Sequence, residues 1–172
     1  MNSISLGDLF VFQTNMKYGL IQVIEKSPIA GYHVRVFCTL IDNLESKTIA
    51  KLINNGSFYY LRDFYEYDLM NKSEFKISYE LTEEVIMPKY MRYHERKLNG
   101  KVSWYIVDSN TGKVIKKFNR FANELLGLSP YGTWGIEYIK ARWNENFSLD
   151  QWNDDLLNRW YQNYLKWCKS NE

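Results

Sequence analysis

The sequence predicts an α+β fold, an antiparallel curved sheet or half-open barrel closed by C-terminal helices. Three observations carry this. Runs of β-branched and aromatic residues with two-residue alternation, separated by turn residues, recur through the first three quarters of the chain and make roughly seven or eight strands. No strand–helix–strand rhythm of the kind that builds a doubly wound parallel sheet interrupts them. Helical spacing of large apolar residues is strongest near the C-terminal end. With no repeat, low-complexity tract or Pro/Gly/Ser linker, residues 1–172 read as one domain, residues 1–128 mainly strands and 133–170 two helices.

The elements follow in order. "DLFVFQ" (8–13) and "YGLIQVIEK" (18–26) are two strands joined by "TNMK", short enough for a hairpin. Ser27-Pro28 and Gly31 break the pattern before "YHVRVFCTL" (32–40), which places His33, Arg35 and Phe37 on one face and Val34, Val36 and Cys38 on the other. Weak helical periodicity through Leu44, Thr48 and Leu52 ends at the turn pair Asn55-Gly56, and "SFYYLRDF" (57–64) returns to strand. Asn99-Gly100 sits between "YMRYHERKL" and "KVSWYIVD" as a tight hairpin turn, and "SNTG" (109–112) leads into "KVIKKF", giving a three-strand meander. Ile136, Ile139 and Trp143 have helical spacing, with Thr133 as the expected N-cap. In the last segment Ser148 and Gln151 form a capping-box pair, and Trp152, Leu156, Trp160, Tyr164 and Trp167 or Cys168 make an apolar stripe expected to be core.

A chain of 172 residues can bury roughly 70% of its unfolded surface. Aromatic residues reach 17%, which suits either a ring-rich core or a sticky face. The net charge of +2 gives no steering field toward polyanions. Cys38 and Cys168 have no CxxC partner and read as free thiols of a reducing compartment. The opening "MNSISLGDLF" has neither a basic n-region nor a long apolar h-region, and no stretch has the ~18 apolar residues a membrane span needs. A cytoplasmic protein without membrane attachment is expected.

Catalytic constellations are hard to assemble. His33 and His94 fall on different strands without further ligands at metal spacing, and read as strand histidines of which at least one is exposed. Cys38 sits in an apolar strand with nothing to lower its pKa and reads as a packed thiol. GxSxG, GxxxxGK[ST] and GxGxxG are all absent. No catalytic residue, metal ligand or cofactor site is therefore assigned, and the expectation is a protein that is not an enzyme. Two charged stretches remain. Lys113, Lys116, Lys117 and Arg120, with Phe118, read as a solvated strand face, the alternative being a small nucleic-acid patch. "RDFYEYD" interleaves Asp63, Glu66 and Asp68 with Phe64, Tyr65 and Tyr67, a mixture of acids and rings typical of protein interfaces. Asp63, Tyr65, Glu66, Tyr67 and Asp68 are the candidate partner-binding residues, although the same rings also suit a core.

The opening "GDLFVFQTNMKYGLIQVIE", with Gly7-Asp8 before an apolar strand and then Tyr18-Gly19 and Val23, resembles the start of the immunity protein 26 family of bacterial polymorphic-toxin and contact-dependent inhibition systems. The resemblance covers mainly residues 5 to about 90. It implies a small cytosolic protein that binds a cognate toxin domain stoichiometrically and neutralises it without turnover. On that reading Gly7 and Gly19 relieve crowding where strands begin or twist, and Asp8 bonds backbone amides at a turn. The organophosphate hydrolase label given to some relatives would require a ligand-rich metal centre, which two histidines supply poorly. The runner-up is a nucleic-acid-binding module using a basic, aromatic sheet face.

Overall fold

The computed structural model describes residues 3–81, 85–97, 100–132 and 134–170. Its strands divide between two antiparallel sheets, neither closed into a barrel, with helices at the C-terminal end. The larger sheet contains β1 (Leu9–Thr14), β2 (Lys17–Lys26), β3 (Tyr32–Phe37), β4 (Phe58–Phe64) and β5 (Phe75–Ile77), in the order β4-β3-β2-β1-β5. Thr14 pairs with Lys17 across a two-residue turn, and Asn15 takes the positive φ of 50° that such a turn demands. All six residues of β3 are buried, because both faces of this sheet are covered.

On one face α1 (Ser46–Asn55) lays Ile49 and Leu52 over Leu9, Leu20 and Phe37. Of the expected stripe Leu44, Thr48 and Leu52, only Leu52 is fully buried, and Leu44 precedes the helix. On the other face Phe10, Phe12, Val34, Val36 and Leu61 pack under Leu69 of α2 (Glu66–Lys72) and Ile136, Ile139 and Trp143 of α3 (Ile136–Asn144). The Trp143 ring lies directly on Gly19, where a Cβ would stand 2.5 Å from it, and its indole N–H donates to the Phe37 carbonyl at 2.7 Å. Glycine at position 19 is a packing requirement of that ring.

The smaller sheet holds β6 (Tyr90–Arg96), β7 (Val102–Asp108) and β8 (Val114–Phe118). Its inner face carries Trp104 onto Leu125, Phe147, Trp152, Leu156 and Leu157. Gly100 closes the β6–β7 connection by donating to the Lys97 carbonyl, while Asn99 of the expected turn pair lies outside the described residues. The buried guanidinium of Arg92 donates to the carbonyls of Leu125 (2.9 Å) and Leu149 and lies 4.6 Å from the Trp152 ring.

Among the described residues several contacts join the sheets, these included. Residues 129–131 bond to the Arg92 backbone on β6, while Ser129 Oγ accepts from Tyr60 N of β4 at 3.0 Å. Trp134 stands 5.4 Å from Tyr59 of the larger core and 5.5 Å from Trp152 of the smaller one.

The C-terminal region corrects two expectations. The Ser148–Gln151 pair caps a short 3-10 turn (Leu149–Gln151), and α4 (Asp154–Ser170) begins afresh beyond it. Asn153 Oδ1 accepts from the amides of Asp155 and Leu156, so a second cap-competent residue followed by two aspartates takes over the helix start. Trp152, at the break, points into the ring cluster. The stripe is core only along its first part: Leu156 is buried and Trp160 half-buried against Tyr138 and Arg142 of α3, but Tyr164 and Trp167 are exposed and stack on each other at 6.3 Å. Thr133, the expected N-cap of α3, lies outside the described residues; the Ile136 amide donates to Asp68 Oδ2 at 3.3 Å. Among the described residues no helix is long and apolar enough to cross a membrane.

Gly19→Ala is expected to destabilise the fold by about 1–3 kcal/mol by displacing the Trp143 ring, read as a lower urea midpoint.

His94 supplies a second expectation. It lies 5.3 Å from the Trp104 ring and 5.4 Å from Trp152, and its Nδ1 has no hydrogen-bond partner. Burial, with Arg96 and Arg92 adding repulsion, pushes its imidazole down to about 4. Above about pH 6.5 the ring is neutral in both states; as the pH falls toward 4 the unfolded chain takes up the proton first, so the native state loses stability. The loss should be on the order of 3 kcal/mol between about pH 7 and about pH 4, and His94→Gln should flatten that part of the unfolding profile.

Candidate functional site

The residues nominated from "RDFYEYD" lie where β4 runs into α2, and the β2–β3 loop packs against them. Gly31 makes that approach possible: its φ is +69°, and a Cβ there would sit 2.0 Å from the Phe64 carbonyl oxygen. Ser27 accepts from the amides of Ile29 (3.1 Å) and Ala30 (3.3 Å), and its hydroxyl donates to Asp63 Oδ1. Asp63 itself holds φ at +52°, a left-handed conformation uncommon outside glycine, and its amide points at His33 Nδ1 at 3.5 Å. Accepting there requires a neutral His33 with its proton on Nε2, and burial pushes that imidazole below its ordinary value against the upward pull of Asp63 and Glu25.

This lock presents an outward face. Ile29 is 75% exposed, Tyr65 55% and Tyr67 67%, with exposed Glu66 between the tyrosines and close enough to Tyr32 to raise its phenol further after burial has done so. Large apolar side chains left in water on a hydrogen-bonded scaffold have the character of interface anchors.

The five candidate residues therefore separate. Tyr65, Glu66 and Tyr67 face solvent. Asp63 is half-buried and shapes the junction. Asp68 is buried, with one oxygen 2.9 Å from Lys72 Nζ and the other accepting from the first amide of α3, so it ties α2 to α3 and does not belong to the face. Ile29 escaped the sequence reading because only folding brings its loop to this junction. An isoleucine between Pro28 and Gly31, in a turn with no strand to bury it, was the available signal.

The other candidates go elsewhere. Neither histidine is exposed, which corrects the expectation for at least one of them: His33 is buried and His94 half-buried. Among the described residues no group of three or more His, Cys, Asp or Glu side chains is placed to hold a metal ion. Cys38 lines a cleft of about 690 Å³ beside Trp143 and Asn144, but burial pushes its thiol up, away from the thiolate a nucleophile needs. Lys116 and Lys117 point to opposite sides of β8, Lys116 paired with Glu124 at 3.1 Å and Lys117 over the Tyr105 ring. The basic run is thus split between two faces. Asp8, buried, accepts from Ser5 N and Lys76 Nζ, both at 2.8 Å, and pins the start of β1 to β5.

No protein-family model, no curated protein and no solved structure matches the chain.

Asp63→Ala should cost about 1–2 kcal/mol, since alanine tolerates the left-handed backbone poorly and gives Ser27 no acceptor. Asp63→Asn should stay within roughly 0.5 kcal/mol of the native protein, because asparagine adopts that conformation and keeps a side-chain oxygen. Chemical denaturation of both variants reads the difference.

Proposed function

We propose that the protein is a stoichiometric inhibitor that binds and neutralises a cognate bacterial toxin domain in the cytoplasm, as an immunity protein. The observation that carries the reading is the exposure of Ile29, Tyr65 and Tyr67, with Glu66 also exposed, beside a junction fixed by Ser27, Asp63 and His33. Aromatic anchors surrounded by polar groups dominate the affinity of tight protein complexes. The resemblance of Gly7, Asp8, Phe10, Tyr18, Gly19 and Val23 to the immunity protein 26 opening supports the same reading. Inhibition by occlusion needs only complementarity of surface, so the protein acts without turnover.

A nucleic-acid-binding role is the second reading, favoured by one observation: Tyr93, Tyr105 and Lys117 line up across β6, β7 and β8 on one face of the smaller sheet. Glu95 bonds the Tyr105 hydroxyl at 2.9 Å and opposes phosphate there, and the net charge is only +2.

Co-expression with the product of the gene immediately upstream should restore growth that this product alone arrests, and the purified pair should form a complex that tolerates added salt. Replacing Tyr65 and Tyr67 together by serine should weaken that complex by at least about 30-fold, as expected for loss of about 2 kcal/mol or more at an anchor, and abolish the rescue. Absence of rescue by the native protein, or rescue undiminished in the double variant, would refute the assignment.

A further inference from the structure

A cleft of about 690 Å³ opens where four segments distant in the sequence come together. The β1–β2 turn contributes Asn15, the ends of β3 and β4 contribute Cys38 and Ser57, and the chain at the end of α3 contributes Asn144, Asn146 and Ser148. Amides and hydroxyls thus dominate its polar groups. Among the described residues no carboxylate lines it, and its one ammonium, Lys17 Nζ, already sits 3.2 Å from Asp42 Oδ1. Leu40, Trp143 and Phe147 add apolar surface beside these neutral groups.

The walls are held by bonds within the chain. Asn15 Nδ2 donates to Asn144 Oδ1 at 3.3 Å and ties the turn to α3, the Trp143 indole is fixed on the Phe37 carbonyl, and the Ser57 hydroxyl is hydrogen-bonded to the Cys38 thiol. One group stands apart. Thr14 also lines the cleft and is only 5% exposed, and its hydroxyl has no hydrogen-bond partner among the described residues. A buried hydroxyl left unmet is costly, and a ligand that reached it would remove the cost.

The volume lies within the range of small-ligand sites, roughly 300–1,000 Å³. An ion suits the lining poorly, because no unpaired opposite charge there would offset the loss of its hydration. A neutral polyhydroxylated molecule suits it well: amide and hydroxyl side chains both donate and accept, as sugar hydroxyls do, and the C–H faces of sugar rings match the apolar part.

We propose that this cleft binds a short neutral saccharide through Asn144, Asn146 and the hydroxyls of Thr14 and Ser57, with its rings against Leu40 and Phe147. The cleft adjoins the Phe37 end of β3 and the Phe58 end of β4, whereas the face assigned to protein binding borders the opposite ends, at Tyr32 and Phe64, so the two assignments stand independently.

Calorimetric titration of the full chain with maltotriose, cellotriose and the trimer of N-acetylglucosamine tests the proposal, with a capped neutral tripeptide alongside. Saturable one-to-one binding of at least one saccharide is expected. Thr14→Val keeps the side-chain shape, removes an unpartnered polar group and should weaken that binding about fivefold or more. In the Cys168→Ser protein the bound saccharide should also slow alkylation of Cys38 by iodoacetamide, with the same concentration dependence; if Thr14→Val fails to fold, this protection decides. No saturable binding of any saccharide, binding of the peptide alone, equal binding by Thr14→Val, or Cys38 alkylation indifferent to the saccharide would each overturn the proposal.

Discussion

The two sheets share no strand, so their relative placement depends on what passes between them, and the indole of Trp134 is the main connector. It touches Tyr59 on one side and Trp152 on the other, with Tyr138 and Phe147 completing its surroundings at 4.7 and 6.3 Å. Trp152 in turn meets Trp104 at 5.4 Å, so a continuous file of rings runs from the core of the larger sheet to that of the smaller. Edge-to-face and tilted contacts within the file add directional preference to the area each ring buries.

The same rings account for the burial of positive charge. Arg92 lies over Trp152 and Phe121, Arg142 over Trp160 and Tyr138, Arg62 over Tyr131, and Arg35 against the edge-to-face pair of Phe37 and Phe58. A guanidinium is weakly hydrated and stacks well on aromatic faces, so it enters such a core at less cost than an ammonium would. The high aromatic content thus has two uses at once: it fills the cores and it lines the seats of the arginines. Only a minority of the rings, Tyr65 and Tyr67 among them, remain in water.

What could be read in the sequence follows from how local each signal is. β1 to β4, the β6–β8 meander and α3 carry their own alternation, turn residues or helical spacing, so their existence needed no knowledge of distant contacts. α2 went unrecognised because seven residues give under two helical turns, and Tyr65, Glu66 and Tyr67 look like a surface patch, which is how they lie. β5 has three residues and exists through its pairing with β1. Asp68 joins the patch in the sequence because acids and rings interleave there, whereas in the fold it is buried between Lys72 and the first amide of α3, 68 positions away. Ile29 gains meaning only when separate segments meet, and no local pattern records that.

The edges of both sheets are blunted. The Ser129 hydroxyl occupies the Tyr60 amide on the rim of β4, β5 is three residues long with Lys76 engaged by Asp8, residues 129–131 run along β6, and β8 carries Lys116 and Lys117. Open backbone ladders invite another strand, and short, covered or charged rims deny it. Rims built this way disfavour edge-to-edge pairing of strands between copies. For the partner proposed above, the same rims favour a grip by side chains over recruitment as an additional strand.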